Sequence, residues 1–247
     1  MSFLKGKRST YITLLSVFLA LALITAACAI YLGSYYSADE EAIAAFMPDG
    51  CEWRVEGNGN IVFEPSSATR GFIFYPGGKV DHNAYIPLMQ ACAENGVLCV
   101  IVEMPFRLAV LDMNAADGIP EQFPEITEWY IGGHSLGGAM AASYVEGNTD
   151  RYAGLVLLGA YSTADLSDTD LDVLSIYGSE DGVMNREKHA ECLENLPDNA
   201  TEVVIDGGCH AYFGMYGEQE GDGTPSLTVQ EQIRYTADAI LDFMTIK

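Results

Sequence analysis

Six consecutive residues, Gly133-His134-Ser135-Leu136-Gly137-Gly138, place a serine between two glycines at G-x-S-x-G spacing. The pattern also occurs in ordinary Gly/Ser turns, so its setting decides its weight. Here a strand-like run, 128–131, precedes it and a small-residue helical stretch, 136–146, follows it. A sharp strand-to-helix turn strains the serine backbone and lets the flanking glycines pass close to neighbouring chain. The hydroxyl then stands at the top of a sheet, and the first N–H groups of the helix face any negative charge that develops beside it. Such a serine is a candidate nucleophile.

A serine hydroxyl needs a base. Of the four histidines, His134 adjoins the serine and points elsewhere on such a turn, and His82 carries no motif. His189 lies in a predicted surface helix between Lys188 and Ala190, where a solvated role is expected. His210 closes Asp206-Gly207-Gly208-Cys209-His210 after the last strand-like run. Catalytic groups of open α/β sheets collect at such C-terminal strand ends, so His210 is the candidate base. An acid must fix its tautomer. Asp181 follows the run 173–177 and gives the order Ser…Asp…His, while Glu180 and Asp206 are its rivals. Two N–H donors must face a tetrahedral oxyanion. Leu136 supplies one, and Tyr75-Pro76-Gly77-Gly78-Lys79 offers the other, at Gly78 or next at Lys79.

The elements that must position these residues alternate. Runs 71–75, 97–103, 128–131, 155–158, 173–177 and 202–205 are strand-like, and the β-branched run 97–103 is too continuous for a solvent-facing strand and typical of a buried parallel one. Helical spacing falls at 83–94, 114–123, 136–146, 186–196 and 229–244, and 51–55 with 61–64 flank a hairpin turn at Gly57-Asn58-Gly59-Asn60. The alternation predicts an α/β fold with a mostly parallel sheet covered on both faces.

With these motifs in place, the chain over residues 60–246 resembles the α/β-hydrolase superfamily, most of all its small, capless bacterial members. The resemblance rests on Pro76-Gly77-Gly78-Lys79-Val80-Asp81, the 133–138 elbow, the 178–182 acid loop and the 208–213 histidine loop. It implies Ser135 as nucleophile, Asp181 as acid and His210 as base. The chain differs from the dienelactone-hydrolase branch, whose nucleophile is cysteine, and Pro76 stands where some lipases carry the histidine of a His-Gly-Gly-Gly loop.

Only about twenty residues separate the 155–159 run from the acid loop, too few for an inserted cap. Pocket walls must then come from loops 104–114, 161–170 and 211–223, where Phe106 and Phe213 suit an acyl group. Arg107 and Lys79 are cations that could hold a substrate carboxylate or pair with local acids. Gly221-Asp222-Gly223 lacks the ligand series of a calcium loop, so neither a metal nor a cofactor is expected.

The chain has 247 residues, 12 basic and 35 acidic, for a net charge of −23. Lys5, Lys7 and Arg8 precede the first acid, Asp39, which leaves 9 basic and 35 acidic residues after Tyr36, a net −26. Such a body repels phosphate backbones, and nucleic-acid binding is excluded. Residues 11–32 are nearly all apolar, long enough to cross a ~30 Å hydrocarbon layer. Basic residues before and acidic residues after that stretch place the N-terminus inside and residues 37–247, the hydrolase domain, outside the cytoplasm. A cleaved secretory signal and lipidation at Cys28 are the competing readings of residues 1–36, with Thr25 a poor match for the latter. Cys92 with Cys99, or Cys192 with Cys209, could pair in an oxidising compartment, or all could be small buried apolar side chains.

The expected activity is a membrane-tethered serine hydrolase acting on small carboxylic esters or thioesters. Acyl transfer to an alcohol or amine uses the same three groups. A surface binding protein on an inactive hydrolase scaffold is the alternative of another class.

Overall fold

The computed structural model describes residues 2–47 and 52–245. The chain divides into two units between Tyr35 and Tyr36. The first holds one helix, α1 (Ser2–Gly33), whose segment Thr13–Gly33 has a mean hydropathy of 2.5 over its apolar window and is long enough to cross a membrane.

The second unit is built on an eight-stranded sheet. Its strands are β1 (Arg54–Val55), β2 (Ile61–Phe63), β3 (Arg70–Tyr75), β4 (Val97–Ile101), β5 (Glu128–His134), β6 (Gly154–Leu158), β7 (Asp172–Gly178) and β8 (Thr201–Ile205). They lie in the order β1-β2-β4-β3-β5-β6-β7-β8. The β1–β2 hairpin and its pairing to β4 are antiparallel, and every other pair is parallel. The hairpin's outer end at residue 51 lies outside the described residues.

Alternation along each strand feeds two cores. Phe72 and Phe74 of β3, Cys99 and Ile101 of β4, and Val156 and Leu158 of β6 pack on one face. Their neighbours Ile73, Tyr75, Leu98, Val100, Leu155 and Leu157 pack on the other. Helices α3 (Ile86–Ala93) and α6 (Val229–Thr245) close the first core. Ile233, Ala237, Ile240 and Met244 of α6 recur at helical spacing and are all buried. Each of the two isoleucines contributes about 1.5–3 kcal/mol by leaving water. Helix α4 (Leu136–Val145) covers the second core with Ala141, Ala142 and Val145. The short helices α2 (Glu40–Phe46) and α5 (Arg186–Cys192) complete the unit, each capped by a side chain, Asp39 and Asn185.

Three local expectations change. The expected helix at 114–123 is a series of turns ending in the 3-10 turn Pro120–Gln122. Gly118 at φ +76° and Pro120 interrupt any α-helical run there. The helix expected from 186 stops at Cys192 and continues as a 3-10 turn, Leu193–Asn195, just before Pro197. His189, expected in solvent, is buried. Its ring lies 4.9 Å from that of Tyr177, and its Nε2 lies 3.4 Å from Ser175 Oγ and 3.7 Å from Glu202 Oε2. Cys28, Cys92, Cys99, Cys192 and Cys209 are all free thiols.

Candidate active site

Ser135 joins β5 to α4 at φ 52°, ψ −121°, a conformation that residues with a side chain seldom adopt. Its N–H donates to Leu158 O at 2.9 Å, and its carbonyl accepts from Ala139 N at 3.1 Å. The flanking glycines are required by contact. A Cβ on Gly133 would lie 2.4 Å from Tyr75 O, and one on Gly137 would lie 2.2 Å from the same atom. The elbow is pressed against the end of β3, and only glycine fits between. The first N–H groups of α4, starting at Leu136, receive no side-chain cap from Ser135.

Asp181 and His210 meet on loops that leave β7 and β8. Asp181 Oδ2 accepts from His210 Nδ1 at 2.8 Å, and both side chains are almost wholly buried. The other carboxylate oxygen accepts the N–H groups of Val183 at 2.9 Å and Met184 at 2.8 Å. A carboxylate only accepts, so the proton of the neutral imidazole sits on Nδ1 and leaves Nε2 with its lone pair free to act as a base. Among the described residues, no hydrogen bond reaches that buried Nε2. His210 and Ser135 line one cleft. Glu180 and Asp206, the rival acids, are exposed.

Gly159, which carries no sequence motif, and Asp222, weighed in the sequence only as part of a calcium loop, hold this pair. A Cβ on Gly159, which follows β6 at φ +52°, would lie 2.9 Å from His210 Nδ1 and 3.2 Å from Asp181 Oδ2. Asp222 accepts four backbone N–H groups: His210 at 3.1 Å, Ala211 at 2.8 Å, Gly182 at 3.1 Å and Gly223 at 2.9 Å. Burial alone would raise its pKa, but these four donors outweigh burial and lower it.

On the opposite side of the elbow, the 76–79 loop follows β3. Gly77 N–H donates to Tyr85 Oη at 3.0 Å, and the same hydroxyl bonds His134 Nδ1 at 2.8 Å. Lys79 N–H donates to Arg107 O at 2.7 Å, so of the two expected donors Lys79 is already engaged. Gly78 abuts the elbow: a Cβ there would lie 2.9 Å from Leu136 Cδ2. His134 is fully buried, with its ring centroid 4.5 Å from that of His210. Burial, then the neighbouring His210, push its pKa well below the ordinary histidine value.

The cleft over Ser135 and His210 has a volume of about 420 Å³, with Leu136, Met140, Tyr161, Val183 and Met184 among its walls. None of the four expected substrate contacts lines it. Phe213 is a correction: it is fully buried in the core, 5.5 Å from the His134 ring, because β8's loop folds inward at the 3-10 turn Ala211–Phe213. Phe106 is exposed and borders a separate hollow with Met104 and Asp112. Arg107 Nη2 lies 4.0 Å from Asp81 Oδ2. The Asp81 carboxyl is held at about 2, first by its hydrogen bond with His82. Lys79 and Arg107, both at positive φ, thus shape the loop beside the elbow.

A family model described as "Alpha/beta hydrolase family" matches residues 71–234. A search of curated proteins found no match. Solved structures that are similar include Est1E from Butyrivibrio proteoclasticus, at 13% identity and a TM-score of 0.57, covering 79% of this chain and 99% of that one. A dienelactone hydrolase from Anabaena variabilis is similar at 14% identity and a TM-score of 0.57, covering 77% and 97%. The esterase domain of a Rhodothermus marinus protein is similar at 13% identity and a TM-score of 0.55, covering 76% and 94%.

Proposed function

Because the chain belongs to the alpha/beta hydrolase family and is an enzyme of hydrolase type, we propose that it cleaves carboxylic esters or thioesters through an acyl-enzyme on Ser135. The observation that carries this reading is the buried Asp181–His210 pair at 2.8 Å, opening onto the cleft of a serine held at φ 52°. His210 Nε2 takes the Ser135 proton as Oγ attacks the carbonyl carbon. Asp181 stabilises the imidazolium through Nδ1. The N–H groups of Leu136 and Gly78 receive the oxyanion, each such donor being worth about 10²–10³ in kcat. His210 then protonates the departing alcohol or thiol. Water, deprotonated by the same nitrogen, releases the acid and restores the serine.

The N-terminal helix is the anchor in this reading. Thr13–Gly33 spans roughly 30 Å at 1.5 Å per residue. Lys5, Lys7 and Arg8 precede it and Asp39, Glu40 and Glu41 follow it, which supports an extracytoplasmic catalytic unit.

A fluorophosphonate probe applied to the full chain in detergent tests the chemistry. Stoichiometric label on Ser135, absent from Ser135→Ala and from His210→Ala, is expected, with esterase turnover lost in parallel. Full turnover in Ser135→Ala refutes the assignment. Protease treatment of intact cells tests the topology, since an extracytoplasmic domain is digested there.

A further inference from the structure

The walls of the Ser135 cleft determine what kind of acyl group it takes. Among the described residues, those that line it carry no ionisable side chain besides His210 and the phenol of Tyr161, and its other polar groups, Ser135, Thr163 and Asn185, are uncharged. Met140 and Met184 add flexible, polarisable apolar surface that adapts to different chain shapes. Two cations near the site, Arg107 and Arg186, are held by other partners. Arg107 faces Asp81, and Arg186 donates to Gly178 O at 2.6 Å and Ser179 O at 3.1 Å while its guanidinium lies 4.5 Å over the Tyr177 ring. The part of the chain after Tyr36, which holds the cleft, carries a net charge of −26.

An ionised carboxylate entering such a cleft loses its hydration and gains no cationic partner, in a field that already repels it. From this cleft, whose described lining holds no Lys or Arg, we infer that the natural acyl group is uncharged and mainly apolar, and that half-esters of dicarboxylic acids are rejected by charge. The inference rests on the acyl-enzyme reading above. It also assigns a direction to product release. The neutral ester enters, water cleaves the acyl-enzyme, and the product leaves as a carboxylate for which the cleft has no partner. Product inhibition by the acid is therefore weak.

The test uses the full chain in detergent and two substrates with one leaving group and similar length, p-nitrophenyl butyrate and mono-p-nitrophenyl succinate. The expected kcat/KM ratio is about 100-fold or more in favour of butyrate, since the succinyl carboxylate must be buried unpaired. Thr163→Lys is expected to narrow that ratio by at least about tenfold by supplying the missing cation. Butyrate at concentrations well above the ester's KM should leave the rate nearly unchanged. Comparable turnover of the two esters overturns the inference, and so does a Thr163→Lys variant that folds and labels yet keeps the full preference. Fluorophosphonate labelling of Ser135 separates the two levels. Labelling with equal cleavage of both esters defeats only the charge selection, labelling with cleavage of neither defeats the acyl class, and no labelling of folded protein defeats the serine-hydrolase reading itself.

Discussion

The carboxylate of Asp222 accepts the backbone N–H of His210 at 3.1 Å, and so clasps the candidate base by its main chain. The same carboxylate takes the N–H of Gly182, next to Asp181, at 3.1 Å. One side chain thereby ties the loop that carries the acid to the loop that carries the base. Replacing it by alanine leaves four donors without their acceptor and frees the two loops from each other. A misplacement of about 1 Å at such a pair costs about 10²-fold. For Asp222→Ala, kcat should fall by about 10–100-fold with KM nearly unchanged, and Asp222→Asn, which keeps one acceptor oxygen, should fall between. Steady-state kinetics with a neutral ester make the comparison, and an unchanged kcat in a folded Asp222→Ala protein removes the positioning role.

Gly159 sets the space in which that pair sits. Its φ of +52° and the 2.9 Å approach to His210 Nδ1 leave no room for a methyl group. Alanine there pushes the imidazole off the Asp181 carboxylate or bends the end of β6. Gly159→Ala should lose about 10–100-fold in kcat and in the rate of fluorophosphonate labelling together. Circular dichroism should be unaltered, which separates a displaced base from an unfolded sheet.

The strands and the elbow were legible in the sequence for a physical reason. Strands buried on both faces read as unbroken apolar runs, and a serine pressed against β3 needs glycine on both sides. The positioning role of Asp222 was not legible: Gly221-Asp222-Gly223 stands out as a motif, but an acceptor for backbone N–H groups from two distant loops leaves no trace of that role in residue type or spacing. His189 was misread for a related cause: a helix pattern shows which residues share a face, but not that Tyr177 and Ser175 of the neighbouring strand cover that face. By its place in the 211–223 loop alone, Phe213 reads as a pocket wall. The 3-10 turn after His210 rotates it under His134 instead. Among the three acids near the base, only contact separates Asp181 from Glu180 and Asp206.

Tyr85 connects the 76–79 loop to the elbow. Its hydroxyl serves both Gly77 N–H and His134 Nδ1 in a fully buried position. Phenylalanine fills the same space and leaves both groups unpaired, at about 1–3 kcal/mol each. Tyr85→Phe should lower unfolding stability by about 2–6 kcal/mol in urea titration. With Gly77 released, the adjoining Gly78 N–H loses its fixed direction. The affinity for a boronic acid or trifluoromethyl ketone inhibitor should then fall in step with kcat/KM, while KM changes little. An inhibitor affinity equal to that of the unaltered protein would place the effect in stability alone.

Acid sensitivity follows from His134. Burial and the neighbouring His210 depress its folded pKa below the ordinary value of about 6.5, which it regains on unfolding. Between the folded value and about 6.5 the unfolded chain binds a proton that the folded protein does not, so stability falls as the pH drops through that window. Above about 6.5 neither state is protonated there and the contribution is flat. The slope approaches about 1.4 kcal/mol per pH unit for one histidine. His189, whose pKa burial also lowers, acts in the same direction. Urea unfolding of the full chain between pH 8 and 5 should show a plateau that bends downward below about 6.5, and His134→Gln should flatten the bend while lowering the plateau. In the folded protein, the His134 ring resonances should stay those of a neutral imidazole as the pH passes below 6.5. Titration of that ring at its ordinary pKa would mean that water reaches it, and the packing between His134 and His210 could not then be the source of the acid sensitivity.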